Sequence, residues 1–440
     1  MRALALAAFL ATTTAASAHP VLMISIDGLR PLDVIDAQER GFAVPNLRAF
    51  MTDGAYAQGV KNVLPTVTYP DHTTLITGVW PAVHGISNNT TFDPLGKNMG
   101  GWYWYASDIK VPTLWDAVHG EHKIVASIDW PVSVGTPSID YDIPEYWRAQ
   151  QPDDVKLIKA LSTPGLVDTL QKDSGAPFVS MLGETPASDV VRAKYAAALI
   201  ARYHPQFFTL HLVSQDGMQH EFGPGTAEAR STLATIDGAV GDLVAAARKA
   251  EPDIVIAIVS DHGFASVDHD VNLAAAFVKA GLITLDPKTQ KVTDWKASVW
   301  EAGGSAAIVL KDPNDKALHD KVAALLSQLA ADPANGIAQV IDRPQIAAMG
   351  GGTEPSFWVD LKIGYMAGRS LVSPLVTAGS LKGMHGNFPT HPEMRATFMI
   401  DGPGIPKADA LGEIDMRDIA PTLAKVLGVP LPTANGKALF

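Results

Sequence analysis

The sequence predicts an α/β fold with a largely parallel central sheet covered by helices on both faces. Three apolar runs carry that prediction. Val21-Leu22-Met23-Ile24-Ser25-Ile26, Phe207-Phe208-Thr209-Leu210-His211-Leu212-Val213 and Ile254-Val255-Ile256-Ala257-Ile258-Val259 are short, β-rich and nearly continuous. Strands buried on both faces read this way. Each run also delivers an acid just past its end, at Asp27, Asp216 and Asp261. Open α/β sheets place ligands at that carboxyl edge.

The elements follow in chain order. Residues 1–18 read as an export signal: Arg2 is the positive start, Ala3 to Ala11 is apolar, and Ala16-Ser17-Ala18 has the small-x-small form of a cleavage site. The apolar stretch is shorter than the roughly 20 residues that span a bilayer. The expectation is an exported protein, periplasmic or secreted, with no stable membrane insertion. Residues 19–440 then read as one α/β domain with loop-rich insertions near 87–149 and 282–392. The first insertion is rich in Trp, Tyr, Asn, Gly and Pro, whereas the second mixes strand-like pieces with turns.

Thr68, two residues before Pro70, fits the first turn of a helix through Leu75 to Thr77. The segments Asp189 to Arg202, Thr226 to Ala250 and Leu318 to Leu329 have the composition and three-to-four spacing of covering helices. Ala396 to Ile400 reads as a late strand closed by Asp401-Gly402-Pro403-Gly404, and Met416 to Leu423 opens a terminal helix.

Composition narrows the function. The 440 residues carry a formal charge of −12 without any Lys/Arg cluster, which argues against a nucleic acid polymer or an anionic membrane as partner. The absence of cysteine removes disulfides and leaves oxygen and nitrogen as the available metal ligands.

Those ligands are present in pattern. Asp216 and His220 are four apart, Asp261 and His262 follow a strand, and His385 sits in Gly383-Met384-His385-Gly386. Carboxylate and imidazole together suit Zn²⁺ when sulfur is absent. The six candidates divide into Asp27, Asp261 and His262 on one side and Asp216, His220 and His385 on the other. The hydroxyl of Thr68 could contact both metals. A free threonine is a poor nucleophile, and a metal pair about 4 Å apart activates the attacking oxygen while steadying the leaving one.

At these motifs the chain resembles the nucleotide pyrophosphatase/phosphodiesterase family of the alkaline phosphatase superfamily. The resemblance runs in order through Pro65 to His72, Thr77-Gly78 to His84-Gly85-Ile86, Asp216 with His220 and Gly223-Pro224, Ser260 to Gly263, and His385-Gly386. It implies an alkaline-phosphatase-like sandwich and two Zn²⁺ ions, held by the two ligand sets above with Thr68. It also implies hydrolysis of phosphodiester or pyrophosphate bonds through a phosphothreonine on Thr68. The family's phosphoryl-binding asparagine falls on Asn89 by spacing, with Asn88 its neighbour. The implied partner is a small-molecule phosphodiester or nucleotide.

The departures matter for substrate. Asp71 stands where the family has an asparagine, adding negative charge near the site. His211 stands where several relatives place an aromatic residue that holds a nucleobase. Trp130-Pro131 resembles the stretch lining the leaving-group side, so Trp130 and Tyr146 are the chosen pocket aromatics. Two other enzymes remain open: a phosphomonoesterase, for which Lys110 or Arg148 would have to supply positive charge, and a diesterase acting on lipid headgroups. A noncatalytic metal-binding or adhesion protein is the alternative outside enzymes.

Overall fold

The computed structural model describes residues 18–147 and 153–440. Residues 1–17 of the expected export signal, and Arg148, lie outside the described residues. The central sheet has eight strands in the order Asp409–Ala410, Ala55–Tyr56, Phe398–Asp401, Val255–Val259, Val21–Ile26, Phe207–Leu212, Val125–Ile128 and Tyr141–Ile143. The three strands read from the sequence are neighbours at its centre. Val21–Ile26 runs parallel to both others, with Ser25 opposite His211 on one side and Val259 on the other. Their carboxyl ends therefore reach one edge together. Only Phe398–Asp401 runs antiparallel to its neighbours.

Successive side chains on a strand point to opposite faces, and the first strand shows both faces covered. Leu22, Ile24 and Ile26 pack with Tyr195 and Leu199 of the helix Pro186–Tyr203 and with Leu233, Ile236 and Val240 of Ala227–Ala250. Val21 and Met23 enter the opposite layer with Leu75 and Ile76 of Thr68–Thr77 and Leu423 of Ile419–Leu427. Full burial of each such side chain is worth about 1.5–3 kcal/mol. A one-residue slip would exchange the two layers' side chains, so the register that sets the aspartates at the edge is held firmly.

The second long connection builds a four-stranded antiparallel sheet, in the order Ala297–Ala302, Ser305–Leu310, Phe357–Leu361, Ile337–Asp342. Its core includes Ile308 and Val359, with Leu326 of the helix Lys316–Ala331. The strand Ala265–Val271 leaves the Asp261–His262 edge and pairs with Gly383–Met384. That pairing returns His385 to the edge. Gly386 follows at φ +91°, where an added Cβ would lie 1.9 Å from the Ala302 carbonyl oxygen, so only glycine fits. Among the described residues, no helix is long and apolar enough to cross a membrane.

Candidate active site

Thr68 opens its helix after an extended Val67, and its side chain is almost covered, at 8% exposure. In the first turn Pro70 has no N–H, Tyr69 N–H goes to Asn89 Oδ1 at 2.8 Å and Asp71 N–H to the Val67 carbonyl at 3.2 Å, so the amides there hold the turn and its neighbours in place. His72, one turn on, ties this helix to the first strand. Its Nδ1 donates to the Thr68 carbonyl at 2.8 Å, and its Nε2 accepts from the Ser25 hydroxyl at 2.8 Å. Burial, with the neighbouring His211, lowers its pKa to about 3 and keeps it neutral.

Around the hydroxyl the six candidate ligands converge. Thr68 Oγ1 lies 3.5 Å from His262 Nε2. Asp261 Oδ2 and Asp27 Oδ1 lie 3.2 and 3.5 Å from the same nitrogen. His385 Nε2 is 3.6 Å from Asp216 Oδ1, and His220 Nε2 is 3.3 Å from Asp216 Oδ2. Asp27, Asp261 and His262 form one group whose ligand atoms lie within 4.8 Å of one another. In the second group the third member is His262, beside Asp216 and His385. His220, expected there, stands against Asp216 with its ring centroid 5.2 Å from that of His385. His262 thus sits between the two groups, its ring stacked on His385 at 3.5 Å.

The chemistry of this cluster fits cations. The buried oxygens Asp27 Oδ1, Asp216 Oδ1 and Asp261 Oδ2 have no hydrogen-bond partner among the described residues. Leaving buried acceptors unmatched is costly unless a positive charge meets them. The three imidazoles are oriented alike. Nδ1 of His220, His262 and His385 donates to the carbonyls of Gly383, Gly263 and Thr66 at 2.9, 3.1 and 3.1 Å. Each Nε2 is therefore turned toward the acids, the arrangement of ligating histidines with a carbonyl behind them.

Burial lowers the pKa of His262 to about 4, and burial with His262 lowers that of His385 to about 3, which preserves their lone pairs. Burial and the adjacent Asp261 push Asp27 well above the carboxylate range. Burial would also raise Asp216, but His220, followed by His385 and His262, outweighs it and holds that carboxyl low.

The expected substrate residues divide. Asn89 accepts from the Tyr69 N–H at 2.8 Å, which turns its NH₂ toward a cavity of about 990 Å³ that also reaches His220 and His385. Asn88 is structural, donating to the Glu301 carbonyl at 3.0 Å and accepting from Asn89 N–H at 2.8 Å. His211 does not face that cavity. It is 1% exposed and sits behind Asp27, its Nε2 3.0 Å from Asp27 Oδ2 and its Nδ1 3.0 Å from the Asp129 carbonyl. Trp130 is likewise fully buried, packed 4.8 Å from the His72 ring in the core layer, and is not part of that cavity's wall. Both assignments as substrate contacts are corrected by this burial.

Tyr146 packs on Trp104 at 4.8 Å and faces a separate cavity with Glu145 and Arg192. The aromatics that line the main cavity are Phe92, Trp102, Trp147 and Trp300, and the rings of Trp102 and Trp147 meet at 4.4 Å. The first three belong to the Trp/Tyr-rich insertion, whose composition was the available signal, and Trp300 comes from the second long connection. Asp71 is fully buried, accepting from Val63 N–H at 3.3 Å; burial, then Asp261, raises its carboxyl well above the ordinary range and disfavours the negative charge expected there. Lys110 is exposed and packs over Gly85, away from the cavity wall.

Fold and site together define an α/β protein of the alkaline phosphatase type with a threonine at the centre of a carboxylate–imidazole cluster. The family described as type I phosphodiesterase/nucleotide pyrophosphatase matches residues 21–385, and the chain belongs to it. Among curated relatives, rat ectonucleotide pyrophosphatase/phosphodiesterase family member 1 is 26% identical over 56% of this chain and 24% of its own length. The chain thus spans about a quarter of that relative. A pyrophosphatase/phosphodiesterase of Schizosaccharomyces pombe, uncharacterized by its name, is 24% identical over 94% of this chain and 78% of its own. Among solved structures, human ectonucleotide pyrophosphatase/phosphodiesterase 5 superposes with a TM-score of 0.66 at 18% identity, covering 95% of this chain and 97% of that one. That likeness establishes the shared fold.

Proposed function

We propose that the protein is an exported, two-zinc enzyme that hydrolyses phosphodiester or pyrophosphate bonds of small nucleotide-type substrates through a phosphothreonine on Thr68. One observation carries the reading: buried, partnerless carboxylate oxygens and outward-turned Nε2 atoms surround a helix N-terminal hydroxyl, with Thr68 Oγ1 3.5 Å from His262 Nε2. Asp27, Asp261 and His262 would hold one ion and Asp216, His220 and His385 the other, with Thr68 touching both. When bound, the ions supply Lewis acidity that favours alkoxide character and offsets phosphoryl charge.

The chain's own groups do the rest. Thr68 Oγ1 forms a bond to phosphorus as the bond to the leaving oxygen breaks. Water then cleaves the phosphothreonine and restores the hydroxyl. The Asn89 NH₂, aimed by the bond from Tyr69 N–H, donates to a phosphoryl oxygen as charge builds there. The Trp102–Trp147 pair offers an apolar wall beside it. Support for a nucleotide substrate comes from relatives. One from mouse, 25% identical over 57% of this chain and 48% of its own length, is named a bis(5'-adenosyl)-triphosphatase. An inactive form of murine ectonucleotide pyrophosphatase/phosphodiesterase 5 was solved in complex with AMP.

The test compares kcat/KM for a nitrophenyl nucleoside monophosphate with that for nitrophenyl phosphate. The diester is expected to be faster. Arg369 is the only Arg or Lys among the described residues lining the cavity, and the wall also carries Asp93, Asp270 and Glu301. A monoester's additional charge is therefore poorly matched. A faster monoester would assign the protein to the phosphatases instead.

A further inference from the structure

The two ligand sets enter the site on different elements, and one buried cation joins the supports of both. Arg192 lies on the helix Pro186–Tyr203 and is 3% exposed. Its Nε donates to Asp129 Oδ2 at 2.5 Å, its Nη1 to Asp189 Oδ1 at 2.9 Å, and its Nη2 to the Gly183 carbonyl at 3.1 Å. Each carboxylate leads to a different part of the site.

Asp129 presents its backbone carbonyl to His211 Nδ1 at 3.0 Å, and His211 Nε2 lies 3.0 Å from Asp27 Oδ2. Asp129 also holds φ at +57°, an unusual backbone for a residue with a side chain, so that carbonyl direction needs outside support. Asp189 accepts from the N–H groups of Val213 and Ser214 at 3.1 and 2.9 Å and from the Ser214 hydroxyl at 2.5 Å. Those residues begin the helix Ser214–Phe222 that carries Asp216 and His220.

We infer that Arg192 is a positioning residue that sets the two metal-ligand groups relative to one another, through Asp129 and His211 to Asp27 and through Asp189 to the helix bearing Asp216. The inference rests on the two-metal reading above. A planar fork suits this task because it fixes two carboxylates and a carbonyl in one plane. A lysine ammonium is a compact point charge on a flexible stem and cannot hold the three at that spacing. Arg192 touches none of the six candidate ligands in the bonds described, so its effect must pass through orientation.

The experiment uses the full chain, stripped of metal and titrated with Zn²⁺ against a chromogenic chelator, and in parallel with Co²⁺ to record visible spectra. R192K keeps the charge and loses the fork. D129N takes the charge out of the Asp129 arm alone, reducing its charge-assisted bond to a neutral one. It keeps the Arg192–Asp189 pair and the carbonyl under His211, and asparagine tolerates the left-handed backbone as aspartate does. R192K is expected to weaken both ions by about 10–100-fold, the usual effect of losing outer-shell support. Its Co²⁺ spectrum should change, and kcat should fall with KM nearly unchanged.

D129N is expected to weaken one ion and leave the other at wild-type affinity. Wild-type affinities and spectra in both variants would overturn the inference, as would equal loss of both ions in D129N. If R192K does not fold, D129N decides by the same criterion. Wild-type protein that binds fewer than two ions would overturn the two-metal reading itself, and that result is seen before any variant is made.

Discussion

Replacing His211 with phenylalanine separates two roles for that residue. Phenylalanine keeps, and enlarges, the flat apolar face that a base-stacking residue would use. It removes both hydrogen bonds, Nε2 to Asp27 Oδ2 and Nδ1 to the Asp129 carbonyl, each 3.0 Å long. Losing one hydrogen bond costs about 0.5–1.5 kcal/mol, and at about 1.4 kcal/mol per decade that weakens the ion held by Asp27 roughly 2–12-fold. The Asp129 carbonyl, left buried without its partner, should cost the fold a further ~1–3 kcal/mol.

The assay is Zn²⁺ titration of metal-free protein, paired with KM for diesters that carry or lack a nucleobase. The expected result is weaker metal binding, restored turnover at saturating zinc, and an equal change for both substrates. Unchanged zinc affinity, or a KM change confined to the base-bearing substrate, would refute the placement of His211 behind Asp27.

Three further outcomes follow from the same geometry. Metal analysis of active wild-type protein should find about two zinc ions, and a chelator should abolish turnover and lower the melting temperature, because ions that bind only the folded chain stabilise it; full activity with one ion or none would contradict this. Thr68→Ala should eliminate turnover and phosphorylation of the chain while leaving the circular dichroism spectrum and zinc content close to wild type, since the hydroxyl supports no strand; a phosphorylated residue elsewhere would refute the assignment. Asn89→Ala should lower kcat on the order of 10²–10³-fold, the usual loss for one transition-state donor, and turnover within a few-fold of wild type would remove Asn89 from the chemistry.

The parts of the site that were legible in the sequence are those at the ends of elements. A buried parallel strand reads as an apolar run, and the acid that follows must emerge at the sheet edge, so Asp27, Asp216 and Asp261 could be placed before any contact was known. His211 was misread for a related reason. It lies inside its strand, opposite Ser25, where the side chain must enter a packed layer and find polar partners there. A pattern of residue types shows that an imidazole is present. It does not show whether the ring meets solvent or Asp27. Trp130 follows the same logic, since its direction depends on a layer assembled from Phe207, Trp115 and Leu75, far apart in sequence. Trp102 and Trp147 gave no periodic signal because they sit in irregular chain, where side-chain direction follows from tertiary contacts.

The burial of Asp71 changes where substrate selection must lie. As a charged group beside Thr68 it would have repelled every phosphate, and a preference between phosphate esters could have been assigned to it. Fully covered, bonded to Val63 N–H and raised by burial and by Asp261, it supports the back of the site. His72 does the same from the adjacent turn, neutral and bonded to Ser25 and the Thr68 carbonyl. The groups left to discriminate among substrates are on the cavity walls: Phe92 and the Trp102–Trp147 pair on the first insertion, with Trp300, Glu301 and Arg369 from the second long connection. Chemistry and selection therefore come from different parts of the chain. The carboxylate–imidazole cluster is built on sheet edges whose register cannot slip without exchanging the core layers, whereas the walls come from connections that can change without disturbing that register. Substitutions on the walls should thus alter which ester is cleaved before they disturb the cluster around Thr68.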